Sequence, residues 1–201
     1  MKKNDFSIAG EVEGALLTVG ELLREDGQRF AIVVIGGAAL QLLEVIDRST
    51  ADVDVIAFAD EPTERINLVR PPQPLPISLE RAIRAVARDR NLPENWLNTG
   101  PAGQWNVPTP LPPGFETRVT WRSFTALDVG IPDRLDFVCF KLEAAADHLG
   151  TINRHFSDLE ALAPTLDELR FASDWIKGNN ADDYHATVDR VVSLVLKQRD
   201  H

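Results

Sequence analysis

The chain has 201 residues, 44% of them hydrophobic and 26% charged, and carries a net charge of −10. That length allows one or two domains with a sizeable core, and the acidic balance argues against a broadly basic nucleic-acid surface while leaving room for a local one. The single cysteine, Cys139, excludes an intramolecular disulfide, no apolar h-region follows Lys2 and Lys3, and no apolar run reaches membrane-spanning length, so a cytoplasmic protein without membrane contact is expected.

Ile8 to Leu23 carries Val12, Leu16, Val19 and Leu23 at helical spacing, with Asp26-Gly27 as its stop. Phe30 to Ile35 reads as a buried strand. Gly36-Gly37 interrupts it, Ala38 to Leu43 predicts a short helix, and strand character returns over Thr50 to Ala59. The composition changes at Glu61. Ten of the thirteen prolines lie between Pro71 and Pro113, and Pro71 to Pro76 predicts an extended segment. Ser78 is a candidate N-cap for a helix running to about Arg90. Residues 65–90 hold six arginines, Arg65 included, against Glu80 and Asp89, a local charge of +4. Arg81, Arg84 and Arg88 form a basic stripe that is either a solvated helix face or a phosphate or RNA contact. Asn91 to Gly114 is loop-rich and holds Trp96 and Trp105, which either pack locally or cover a ligand. Phe115 to Val129 predicts one or two strands. The remainder predicts helices: Asp133 to Leu149, a segment from the Thr165-x-x-Glu168 capping box to Lys177, and Ala181 to Gln198.

The chemistry concentrates between Gly36 and Asp54. If the second strand alternates regularly from its start, Arg48, Thr50, Asp52 and Asp54 share one face. Two carboxylates at i and i+2, roughly 7 Å apart, repel each other unless a hard cation joins them, and Mg²⁺ is commonly held by one or two carboxylates plus substrate phosphates. A Gly-Gly turn at a helix start lets a phosphate approach backbone N–H groups. No Gly-x-Gly-x-x-Gly and no Walker-type loop is present, which sets aside dinucleotide oxidoreductases and phosphate-loop NTPases.

Gly36-Gly37 followed by Arg48-x-Thr50-x-Asp52-x-Asp54 resembles the signature of the nucleotidyltransferase superfamily, and more narrowly its AbiEii-like branch, known from toxin–antitoxin and phage-defence systems. The resemblance spans most of residues 30–178, strongest at these motifs and weakest in the proline-rich middle. It implies an α/β fold, a nucleotidyltransferase-like mixed sheet with flanking helices and a helical C-terminal part. The expected division is a core over 1–130, with a proline-rich insertion at about 61–114, and helices over 131–201 packed on the core. It also implies a site: Asp52 and Asp54 as catalytic metal ligands for Mg²⁺ or Mn²⁺, with Gly36, Gly37, Arg48 and Thr50 at the nucleotide. The third carboxylate of the wider superfamily is Asp128, with Asp136 as the alternative; this branch often departs from that pattern, which puts the two-metal mechanism in question. Trp96-Leu97-Asn98 looks like a recurring piece of the branch and brings Asn98 to the nucleotide. Asp136-x-x-x-x-Lys141-Leu142-x-Ala144-Ala145 resembles the family's lysine-bearing helix, giving Lys141 a catalytic, phosphate-facing role; the bland alternative is a lysine that snorkels to solvent. Asp158, in His155-Phe156-Ser157-Asp158-Leu159, either orients Lys141 or a base, or stabilises a helix dipole.

The expected function is Mg²⁺-dependent nucleotidyl transfer from an NTP to an RNA (tRNA) or protein acceptor, as the toxin-like partner of an antitoxin. The competing expectation is a catalytically silent module of the same fold that binds nucleotide or a partner protein.

Overall fold

The computed structural model describes residues 4–60, 67–103, 110–148 and 153–199. Arg65, Trp105 and Leu149 lie outside them. The fold is α/β: a mixed sheet with flanking helices, followed by helices, as expected for a nucleotidyltransferase-like chain. Two compact units are present. One comprises Met1–Gly103 with Glu116–Pro132, the other Gln104–Phe115 with Asp133–His201. The described residues 110–115 fall in the second unit. They are tied there: Trp175 Nε1 donates to Pro110 O (3.1 Å), and the Phe115 ring meets Phe140 edge-on at 5.9 Å.

In the first unit α1 (Ala9–Glu25) precedes β1 (Phe30–Ile35), α2 (Gly36–Leu42) and β2 (Val53–Ala59). β3 (Leu68–Val69), α3 (Ile77–Asp89), β4 (Leu97–Asn98), β5 (Thr120–Phe124) and β6 (Leu127–Ile131) complete it. The sheet order is β3-β2-β1-β6-β5, with β4 added beside the start of β2. β1 is antiparallel to β2 and parallel to β6, while β5 and β6 form a hairpin. Val33 and Val34 in β1 and Val55 and Ala57 in β2 are all fully buried, which is why both strands read as continuous apolar runs. α1 lies so close to the sheet that a Cβ at Gly20 would stand 1.7 Å from Phe124 O. α3 begins at Ile77, one residue before Ser78, with Pro76 at the N-cap position and no side-chain cap, so Ser78 is a helical residue.

The second unit contains α4 (Arg134–Asp147), α5 (Arg154–Leu162), α6 (Leu166–Asn179) and α7 (Asp182–Arg199), with α5, α6 and α7 packing on α4. Asp133 caps α4, and the Thr165/Glu168 capping box starts α6. Arg134 donates to Leu162 O and Ala163 O, satisfying carbonyls at the left-handed end of α5. No helix among the described residues is long and apolar enough to cross a membrane.

Candidate functional site

β1 runs into α2 without a loop: Ile35 is the last strand residue and Gly36 the first helical one. Gly36 takes φ +78°, a backbone region costly for other residues. A Cβ on Gly36 would stand 2.4 Å from Asp54 Oδ2. One on Gly37 would stand 2.8 Å from Thr50 Oγ1 and 3.4 Å from an Arg48 guanidinium nitrogen. The two glycines therefore gather Asp54, Thr50 and Arg48 onto one short backbone segment. They do so differently from expectation, since the side-chain direction of each glycine is filled by the protein's own polar groups. Glycine is needed there so that Asp54 and Thr50 can close on the helix start.

The regular alternation expected from Arg48 onward does not hold. β2 begins at Val53, so Arg48, Thr50 and Asp52 precede the strand, and only Asp54 belongs to it. The cause is the N-terminal arm. Phe6 N donates to Thr50 O (2.7 Å) and Thr50 N to Phe6 O (2.9 Å), which holds Thr50 in a separate antiparallel bridge. Buried Gln41 on α2 reinforces this turn by donating to Arg48 O (2.7 Å) and Phe6 O (3.3 Å). Sequence reasoning passed over Gln41; its signal was a lone amide in an otherwise apolar six-residue run. Asp52 sits half-buried just before the strand, and its backbone carbonyl accepts from Thr50 Oγ1 at 3.4 Å.

Asn98 joins the cluster through β4, which pairs parallel with β2 in the register Val53↔Leu97 and Asp54↔Asn98. Its Nδ2 donates to Asp54 Oδ1 at 3.1 Å. The neighbouring Trp96 is fully buried, donates from Nε1 to Ile83 O (3.0 Å) and packs edge-on against Phe6 at 5.6 Å, so it anchors β4.

Asp128 requires a correction. It lies opposite Ala31, whereas Asp54 lies opposite Ile35, four residues or about 13 Å further along β1. Arg29 holds both its oxygens, from Nε at 2.8 Å and Nη2 at 2.9 Å. Asp128 is thus one half of a bidentate ion pair at the far end of the sheet, away from Gly36. Asp136, the alternative, is fully buried in the first turn of α4 in the second unit. Among the described residues no group of three or more His, Cys, Asp or Glu side chains could hold a metal ion. The hard oxygen donors of Asp52 and Asp54 still suit Mg²⁺ or Mn²⁺, which take one or two carboxylates and complete their shell with phosphates and water.

Lys141 does not snorkel. Its side chain is 7% exposed and its Nζ stands 2.7 Å from Asp158 Oδ2, a pair buried between α4 and α5. Asp158 lies in the second turn of α5 and meets a lysine, so the helix-dipole alternative is set aside. His155, one turn earlier, has a pKa lowered to about 4, first by burial, then by Lys141, Arg154 and His148, against an opposing pull from Asp158. Its imidazole is neutral at neutral pH.

Of the basic stripe, Arg81 pairs with Asp26 (3.1 Å) and Arg84 with Glu80 (2.6 Å), all well exposed, and Arg88 is also exposed. Arg90 instead reaches α1, donating to Gly14 O (3.0 Å) and Thr18 Oγ1 (3.2 Å). A cavity of about 550 Å³ opens between the N-terminal arm, Ser49 and Arg90. None of Gly36, Gly37, Asp52 or Asp54 lines it, and the chemistry of the chain points to the glycine–aspartate cluster instead.

Residues 15–98 match a protein family described as "Nucleotidyltransferase of unknown function (DUF6036)". No curated protein and no solved structure matches the chain. The matched stretch carries Gly36, Gly37, Arg48, Thr50, Asp52, Asp54 and Asn98, so the part of the chain that builds the cluster is the part similar to that family.

Proposed function

We infer that the chain transfers a nucleotidyl group from an NTP to an RNA or protein acceptor, with Mg²⁺ or Mn²⁺, in the manner of the AbiEii-like branch and as the toxin-like partner of an antitoxin. The observation that carries this reading is the contact of Asp54 with Gly36 and of Thr50 and Arg48 with Gly37, within the stretch similar to nucleotidyltransferases. Asp54 and Asp52 would hold the cation, which when bound neutralises charge on the triphosphate. Arg48 and Thr50 would orient the phosphates beside the start of α2. Catalysis of this type rests on positioning and charge neutralisation rather than on a protein nucleophile. In the helical unit, Asp158 fixes the Lys141 ammonium, a compact charge suited to phosphate oxygens.

One observation favours the second reading, a silent nucleotide-binding module: both oxygens of Asp128, the expected third carboxylate, are held by Arg29. The deciding experiment incubates the chain with each α-labelled NTP, Mg²⁺, total RNA and cell protein. The enzyme reading expects label on one acceptor, lost in Asp54→Asn. Metal-dependent NTP binding without transfer from any of the four NTPs would establish the silent module instead.

A further inference from the structure

Asn98 has two polar ends, and both are engaged. Its Oδ1 accepts from Gly100 N at 2.9 Å, and its Nδ2 donates to Asp54 Oδ1 at 3.1 Å. The first bond settles the orientation of the amide. With an N–H facing Oδ1, the carbonyl end is held by the chain and only the NH₂ end is left to face β2. The backbone beneath is equally fixed. Val53 N donates to Trp96 O at 2.5 Å, and Trp96 and Leu97 on either side of that link are buried. The donor is therefore delivered to Asp54 by a strand pairing that a buried tryptophan locks. On the other side, Asp54 Oδ2 lies 2.4 Å from where a Cβ on Gly36 would stand.

We propose that Asn98 is a positioning residue: it holds Asp54 Oδ1 from β4, so that the carboxylate stays turned with Oδ2 against Gly36. This differs from the nucleotide contact expected from sequence, because Asn98 acts through Asp54. The inference rests on the proposed function, in which Asp54 meets the cation and the triphosphate. Loss of a partner that orients a metal ligand typically costs about 10–100-fold in metal affinity or activity.

Two measurements on the full chain test it. In the ¹H–¹⁵N spectrum without ligand, one Asn98 side-chain proton should lie well downfield and return to an ordinary position in Asp54→Asn. Calorimetry with Mn²⁺ and each NTP should show binding weakened about 10–100-fold in Asn98→Ala. Asn98→Asp, of the same shape, should lose at least as much, because it keeps the acceptor for Gly100 N but sets a second carboxylate against Asp54. In the Asp54→Asn background, Asn98→Ala should add nothing, since both changes remove one interaction. Wild-type affinity in Asn98→Ala, additive losses in the double variant, or tighter binding by Asn98→Asp would each overturn the proposal. Should Asn98→Ala fail to fold, Asn98→Asp and the wild-type spectrum decide. A wild-type chain that binds no Mn²⁺–NTP overturns the proposed function itself, a result distinct from normal wild-type binding that Asn98 variants leave unchanged.

Discussion

Asp54 and Asp128 flank the same central strand on opposite sides, one opposite Ile35 and the other opposite Ala31. Both are aspartates on strands next to β1. Asp54 is half-buried and meets the glycine at the helix start and the amide of Asn98. Asp128 is 3% exposed and meets a guanidinium that matches its charge and geometry. Four residues of displacement along β1 separate a carboxylate at the start of α2 from one held by a guanidinium. Asp158 carries the second kind to its limit, with Lys141 buried against it.

The largest expected effect tests that limit. Lys141→Ala should cost about 3–5 kcal/mol of unfolding free energy, because Asp158 is left charged and buried. Chemical denaturation measures this. A change under about 1 kcal/mol would mean that the pair does not form in solution. Next comes the contrast itself. Asp54→Asn should weaken Mn²⁺–NTP binding by about 100-fold, whereas Asp128→Asn should leave it unchanged. The reverse pattern in calorimetry would exchange the roles of the two ends.

Gly36→Ala should cost about 1–3 kcal/mol for its backbone at φ +78° alone, and more for displacing Asp54, with nucleotide binding lost as well. Gly27, at φ +67° with nothing within 4 Å of a Cβ, supplies the control. Gly27→Ala should show the backbone cost only and bind nucleotide normally. Equal behaviour of the two in thermal melts and binding would remove the Asp54 contact from the account. Arg29→Ala should cost about 1 kcal/mol, since its guanidinium is 60% exposed and screened, and should not alter binding.

The smallest effect concerns pH. His155 in the folded chain takes up its proton only near pH 4, whereas in the unfolded chain it does so near 6.5. Between those values protons favour the unfolded state, so stability falls as pH drops from 6.5 to 4 and this contribution levels off below. In His155→Gln the melting temperature should decline less over that window. Parallel wild-type and variant curves would show that His155 is not held neutral.

The sequence by itself determined the elements and the identity of the cluster. Apolar runs marked β1 and β2, helical periodicity marked α1 and α4, and Thr165 with Glu168 announced α6, because period and capping are local properties of the chain. Gly36-Gly37 and Asp54 were legible for the same reason. Only the tertiary structure decided which groups meet. It took Thr50 out of the second strand by pairing it with Phe6, 44 residues earlier, assigned Asp128 to Arg29 across 99 residues, and placed Asn98 on Asp54 across 44. Strand register and ion pairing over such separations depend on how the sheet closes, and no local window of sequence contains that information.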